Sequence, residues 1–162
     1  MHDSTTRASW DDYFLQIAAT ASTRATCVWR QNGAVIVQGR RIVATGYNGG
    51  PSGYPHCDEG ACPRADSPAP EGGDDASCIA IHAEANALLF ASPTDRDGAT
   101  LYGTGAPCFA CAKLIANSGL GEVVAAGGRY DGWTRVRDFL RDCGVRVRML
   151  DGLEGVPRLR LD

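Results

Sequence analysis

The sequence predicts a layered α/β domain whose sheet is parallel over a large part of its width. Two observations carry this. Two β-branched runs, Gly33–Gln38 and Arg41–Thr45, flank Gly39-Arg40 and read as a hairpin. From residue 81 onward, helical patterns alternate with short β-branched runs, the order of a parallel sheet with helical crossovers. The length of 162 residues fits one domain spanning 1–162, with no internal repeat and no linker.

In chain order, Ser9 followed by Asp12 has the spacing of a helix N-cap with an acidic residue three positions on. Trp10, Tyr13, Phe14, Ile17, Ala18 and Ala21 follow at helical spacing, so 10–23 is expected to be an amphipathic helix. After the hairpin comes a long Gly-, Pro-, Asp- and Ser-rich loop, 46–78, which includes the turn-forming run Asn48-Gly49-Gly50-Pro51. A loop of this length in a compact domain needs an anchor or a function. Ile81–Ala91 then reads as a helix ended by Ser92-Pro93, and Thr100–Thr104 as a strand. Pro107 opens a helix running to about Ser118, with Gly119 at its end. Glu122–Ala126 is a strand. Trp133, Val136, Phe139, Leu140 and Cys143 mark one face of a further helix, which assigns Cys143 to the core. Val145–Leu150 is a last strand, and the tail from Asp151 carries no pattern.

Composition narrows the function classes. A net charge of −3 supplies no basic stripe for tracking nucleic-acid phosphates, so no nucleic-acid partner is expected. No apolar run approaches the roughly 18 residues of a membrane span. The N-terminus is polar and acidic, unlike a secretory signal. The expectation is a cytoplasmic protein with no membrane partner. Seven cysteines without a signal sequence argue against a disulfide framework and toward metal binding or catalysis.

Two local patterns then matter together, His82-Ala83-Glu84 and Pro107-Cys108-Phe109-Ala110-Cys111. Cys108 and Cys111, three apart at a helix start, can face one point where the helix N-terminus favours thiolate. His82 supplies a third ligand, which leaves a fourth position for water. Glu84 is a carboxylate beside that water, suited to accept its proton and deliver it to a leaving group. A lone Cys-x-x-Cys also suits a redox pair, but that reading has no use for His82 or Glu84. The joint pattern is the signature of zinc nucleobase deaminases, in which hydrolysis at an amidine carbon releases ammonia.

The chain resembles the deoxycytidylate deaminase family of the cytidine deaminase superfamily. The residues that carry the likeness are Gly46–Gly53, His82–Ala87, Pro107–Lys113 and Asn117–Gly119, with Arg24–Cys27 and Asn32–Ile36. The resemblance implies a three-layer α/β/α cytidine deaminase-like fold with a mixed five-stranded sheet. It implies a homohexamer, dCTP and dTTP as effectors, and dCMP as the substrate, with one catalytic Zn2+ on His82, Cys108 and Cys111 and Glu84 as proton shuttle. Asn48 matches a substrate-contacting asparagine, although a turn residue is an equal reading. Arg24 is a phosphate partner or a helix C-terminal cation. Tyr130 walls the base pocket or lies on the surface, and Ala83 joins the substrate contacts. Relatives with a second, structural zinc imply that Cys27, Cys57, Cys62 and Cys78 tie down the long loop, with His56 as a possible substitute; unliganded buried thiols are the alternative.

The sequence departs from the family pattern in two places. Asn32 stands where relatives have valine, and Val123–Gly128 replaces an aromatic with small residues. A pocket widened there leaves open a modified cytosine nucleotide or another amidine-bearing heterocycle as substrate. A zinc-stabilised regulatory protein without turnover is the remaining alternative, and it has no need of Glu84.

Overall fold

The computed structural model describes residues 7–65, 77–127 and 130–151. Part of the long loop, Gly128 and the tail from 152 therefore lie outside the described residues. Helix α1 (Trp10–Ser22) begins at the expected cap, where Ser9 Oγ accepts the Asp12 N–H at 3.0 Å. Strands β1 (Gly33–Gln38) and β2 (Arg41–Tyr47) form the hairpin. Its two-residue turn has positive φ at both Gly39 and Arg40, the twist that a tight hairpin demands. Next come α2 (Ala83–Phe90), a short α3 (Pro93–Arg96), β3 (Thr100–Gly103) and α4 (Phe109–Ala116). The chain continues through β4 (Glu122–Ala126), α5 (Trp133–Asp142) and β5 (Arg146–Leu150).

The five strands pair in the order β2-β1-β3-β4-β5. The β1–β2 and β1–β3 pairs are antiparallel, and β3–β4 and β4–β5 are parallel, so the sheet is mixed. The inner strands β1, β3 and β4 read as nearly continuous apolar runs because both of their faces are covered, whereas edge strands β2 and β5 are partly exposed. Alternation assigns the two faces: Val35, Val37, Tyr102, Val124 and Ala126 pack with Phe14, Leu15 and Ala18 of α1. Ile36, Leu101 and Val123 point the other way, into a cluster with α2, α4 and α5. The result is the three-layer α/β/α architecture, with α1 the helix that covers one face among the described residues.

Two details differ from the sequence expectation. The buried face of α1 is Phe14, Leu15 and Ala18, while Trp10 and Tyr13 are half exposed. The periodicity also fitted a face rotated toward Trp10, and packing against the sheet selects the stripe through Leu15. Cys143 is exposed rather than core. It caps the C-terminus of α5 just before Gly144 turns left-handed, so the helical face that holds Val136 and Leu140 no longer governs it.

The junction of β2 with α2 positions the site. A Cβ on Gly46 would lie 2.2 Å from the Ala83 carbonyl oxygen and 2.5 Å from the Ala87 nitrogen, so only glycine lets α2 sit this close. Asn86 Nδ2 donates to the Tyr47 carbonyl at 2.7 Å, and Gly49 and Ile81 exchange two backbone hydrogen bonds.

Candidate metal centre and its cleft

Two helix N-termini meet at the site. His82 is the N-cap residue of α2, and Cys108 is the N-cap residue of α4. Cys108 Sγ accepts the Cys111 N–H at 3.4 Å, so this thiol caps its own helix while facing the site. Pro107 therefore stands just outside the helix rather than in its first turn.

His82 Nδ1 lies 3.4 Å from Cys108 Sγ and 3.5 Å from Cys111 Sγ. Among the described residues, these three form the group whose ligand atoms all fall within 4.8 Å of one another. The spacing suits zinc. Bonds of about 2.3 Å to sulfur and about 2.0 Å to nitrogen at tetrahedral angles require a nitrogen–sulfur separation of about 3.5 Å. The donor set, two thiols and an imidazole, is also one that zinc takes in catalytic sites.

The electrostatics favour the bound cation. The Cys108 thiol is pulled down to about 3, chiefly by the Cys111 thiol donating to it and then by His82 and the Cys111 N–H. Cys111 is correspondingly pushed up, first by that shared hydrogen bond and then by burial. Glu84 is buried, and burial pushes its carboxyl above the usual carboxylate range, against the pull of its own backbone N–H and of His82. A carboxyl raised toward neutrality suits a group that must both take and return a proton.

His82, Glu84 and Cys108 line a cleft that is also lined by Asn48, Tyr130, Arg30 and Arg64. Tyr130 donates its hydroxyl to the Pro107 carbonyl at 2.9 Å, which holds its ring beside the approach to α4. Asn48 is buried. Ala83 packs in the core and gives its N–H to Asn48. Arg24 is exposed on the turn after α1 and does not line the cleft.

The cleft's cations are instead Arg30 and Arg64, which the sequence reading missed. Arg64 is only 8% exposed, unusual for an arginine, and its carbonyl accepts the Trp29 indole N–H at 3.2 Å. Asn32, the departure from valine, also lines the cleft. The small residues of β4 do not: Ala126 packs in the α1 cluster, so the expected widening is not found among the described residues.

Cys27, Cys57, Cys62 and Cys78 line the same cleft, but no three of their sulfurs lie within 4.8 Å of one another. Burial, and then the neighbouring Cys62, Cys27 and Cys78, push the Cys57 thiol up to about 11. His56 instead directs Nδ1 to Thr26 Oγ1 at 3.2 Å and caps the short 3-10 helix Cys57–Glu59.

Residues 8–127 match the family described as the cytidine and deoxycytidylate deaminase zinc-binding region. The chain belongs to this family. It is 50% identical over 123 residues to the deoxycytidylate deaminase of Mycobacterium phage D29, covering 73% of this chain and 94% of that protein. It is 41% identical over 144 residues to the deoxycytidylate deaminase of Schizosaccharomyces pombe, covering 88% of this chain but only 44% of the yeast protein. The fold resembles that of the dCMP deaminase of cyanophage S-TIM5, solved with dCMP and dUMP, at a TM-score of 0.69 and 26% identity. That match covers 90% of this chain and 99% of the other. No helix among the described residues is long and apolar enough to cross a membrane.

Proposed function

We propose that the chain is a zinc-dependent hydrolytic deaminase that converts dCMP to dUMP and ammonia. The observation that carries this is the His82–Cys108–Cys111 cluster beside buried Glu84, in a cleft that also holds two arginines. A nucleoside monophosphate has the matching polarity, with an amidine-bearing base at one end and an anion at the other.

When bound by His82, Cys108 and Cys111, zinc supplies a Lewis acid that makes water acidic enough to ionise near neutral pH. Glu84 accepts the proton of the attacking water and passes it to N3 of the cytosine ring as oxygen bonds to C4. Glu84 then moves the remaining hydroxyl proton to the amine, the C4–N bond breaks, and ammonia leaves as the carbonyl forms. Glu84 ends as a carboxylate, ready for another cycle. Tyr130 walls the cleft against the base. Arg30 and Arg64 pair with the phosphate, with Arg24 outside the cleft lining.

A substrate panel tests this reading. Ammonia release is measured with dCMP, CMP, dCTP, cytidine and guanine, and the reading expects dCMP to give the highest kcat/KM. Arg64→Gln should cost dCMP roughly 10–100-fold in kcat/KM, the worth of a charge-assisted hydrogen bond, while leaving turnover of the nucleoside unchanged. Preference for cytidine or guanine would overturn it.

The second zinc belongs to the same proposal: Cys27, Cys57, Cys62 and Cys78 would close a four-thiolate structural site that anchors the long loop. Burial first, and then the neighbouring Cys62, Cys27 and Cys78, hold the Cys57 thiol up, and a cation among these thiols would offset both effects. Assembly as a homohexamer is supported by apolar side chains left exposed on α2 and α4, Leu89 at 70%, Phe90 at 78% and Leu114 at 51%. Regulation by dCTP and dTTP rests on the family likeness and is tested by titrating each against activity. A cytoplasmic setting, where thiols stay reduced and available to metal, belongs to the same reading.

A further inference from the structure

A helix that begins at a metal ligand has a capping problem. The first N–H groups of α2 have no partner within the helix, and the side chain of the N-cap residue normally accepts one of them. Here the N-cap residue is His82, whose ring is directed at the two thiols and makes no capping bond. At α4 the conflict does not arise, because the Cys108 sulfur both caps and faces the site.

Asn48 supplies the missing cap from 35 residues away. Its Oδ1 accepts the Ala83 N–H at 2.9 Å, between His82 and Glu84 in sequence. Its Nδ2 donates to the Arg30 carbonyl at 3.3 Å. The backbone of Asn48 is also committed: its N–H donates to the Asn32 carbonyl at 3.2 Å, and its carbonyl accepts the Thr26 N–H at 3.0 Å. The amide thus faces a donor at one end and an acceptor at the other, a pairing that fixes its orientation and that only an amide satisfies at both ends. The residue is 5% exposed, so these bonds are made away from bulk solvent.

We propose that Asn48 is a positioning residue: its amide joins the first turn of α2, with His82 and Glu84, to the segment bearing Arg30, and so sets the proton shuttle and one metal ligand relative to the anion-binding wall. Asn48 acts through Ala83 and Arg30 backbone groups, a role different from the substrate contact that the resemblance implies. The inference rests on the deaminase reading of this site.

The test uses cobalt-loaded protein without substrate, because the visible bands of Co2+ report ligand geometry directly. With Asn48→Ala, the bands should shift before any substrate is added. In the zinc protein, kcat for dCMP should fall roughly 10–100-fold, the usual cost of losing support behind a metal ligand, with KM changed less than about threefold. Asn48→Asp keeps an acceptor for the Ala83 N–H and loses the donor to Arg30. It should keep the parental cobalt bands and recover part of kcat. Asn48→Ala with parental bands and kcat but a raised KM would overturn the proposal and leave Asn48 a substrate contact. If Asn48→Ala fails to fold, Asn48→Asp carries the test: parental bands support the cap, and disrupted bands overturn it. A wild-type protein inert toward dCMP would sink the substrate reading, while the substrate-free spectra would still judge Asn48.

Discussion

Glu84 Oε2 lies 3.6 Å from Cys111 Sγ, so the carboxyl rests against a candidate metal ligand without belonging to the candidate ligand group. That separation of roles leads to the first prediction. Glu84→Gln preserves shape and hydrogen bonding but cannot carry a proton. It should bind zinc at the parental level and lose roughly 10²–10⁴-fold in turnover, the usual share of a general acid–base group. Metal analysis and ammonia release on the same sample check this; full activity would refute the proton-shuttle role.

The closeness of β2 and α2 predicts a sensitive glycine. Gly46→Ala puts a methyl 2.2 Å from the Ala83 carbonyl oxygen, against backbone that cannot rotate away. We expect a loss of roughly 1–3 kcal/mol, as for other overpacked interiors. Activity should fall as well, since the first turn of α2 carries His82 and Glu84. Urea unfolding and kcat measure the two effects separately.

Acid should expose a salt link far from the site. Arg148 Nη2 donates to Asp11 Oδ1 at 3.0 Å while Nη1 donates to Oδ2, and Tyr102 donates to Oδ1 at 3.0 Å. Hydrogen bonding from Arg148 holds the Asp11 carboxyl below its usual range, against a smaller opposing effect of burial. A folded-state value below the unfolded one means that the link stabilises fully above the ordinary carboxylate range. The contribution is lost as pH falls from there through the lowered value. Asp11→Asn should cost on the order of 0.5–1 kcal/mol near pH 7, the range for partly exposed pairs. The gap should close in acid; a difference that stays constant with pH would refute the link.

Metal content separates the two thiol sets. Four-ligand arithmetic predicts about two zinc ions per chain. Cys57→Ser should lower that to about one and loosen the loop to proteolysis, whereas Cys108→Ser should remove the zinc that activity needs. A parental value near one would exclude the structural site.

Much of the site was legible because its parts are local. His82 and Glu84 lie two residues apart where a helix begins, and Cys108 and Cys111 lie three apart at another helix start, so each pair is recognisable as a short motif. The strands were legible for a similar reason, since a sheet covered on both faces leaves unbroken apolar runs. Arg64 was not legible. It sits in a Pro- and Gly-rich loop with no periodicity, and its carbonyl meets the Trp29 indole N–H across 35 positions. Arg24 stands out in the sequence because it lies within a motif, and motifs record sequence neighbourhood rather than direction. Short α3 escaped notice because four residues set no period, although Ser92 and Asp95 form its capping box.

The sequence by itself determined the chemistry: a histidine, a carboxylate and two cysteines at spacings that short-range backbone geometry turns into ligands and a base. Only the tertiary structure decided how those pieces are held and what faces them. The buried stripe of α1, the exposure of Cys143, the arginines of the cleft and the cap on α2 all depend on contacts between distant segments. Asn48 and Ala83, 35 residues apart, meet because Gly46 lets a helix rest on the end of a strand. Local spacing encodes which groups are present, and packing sets which of them meet.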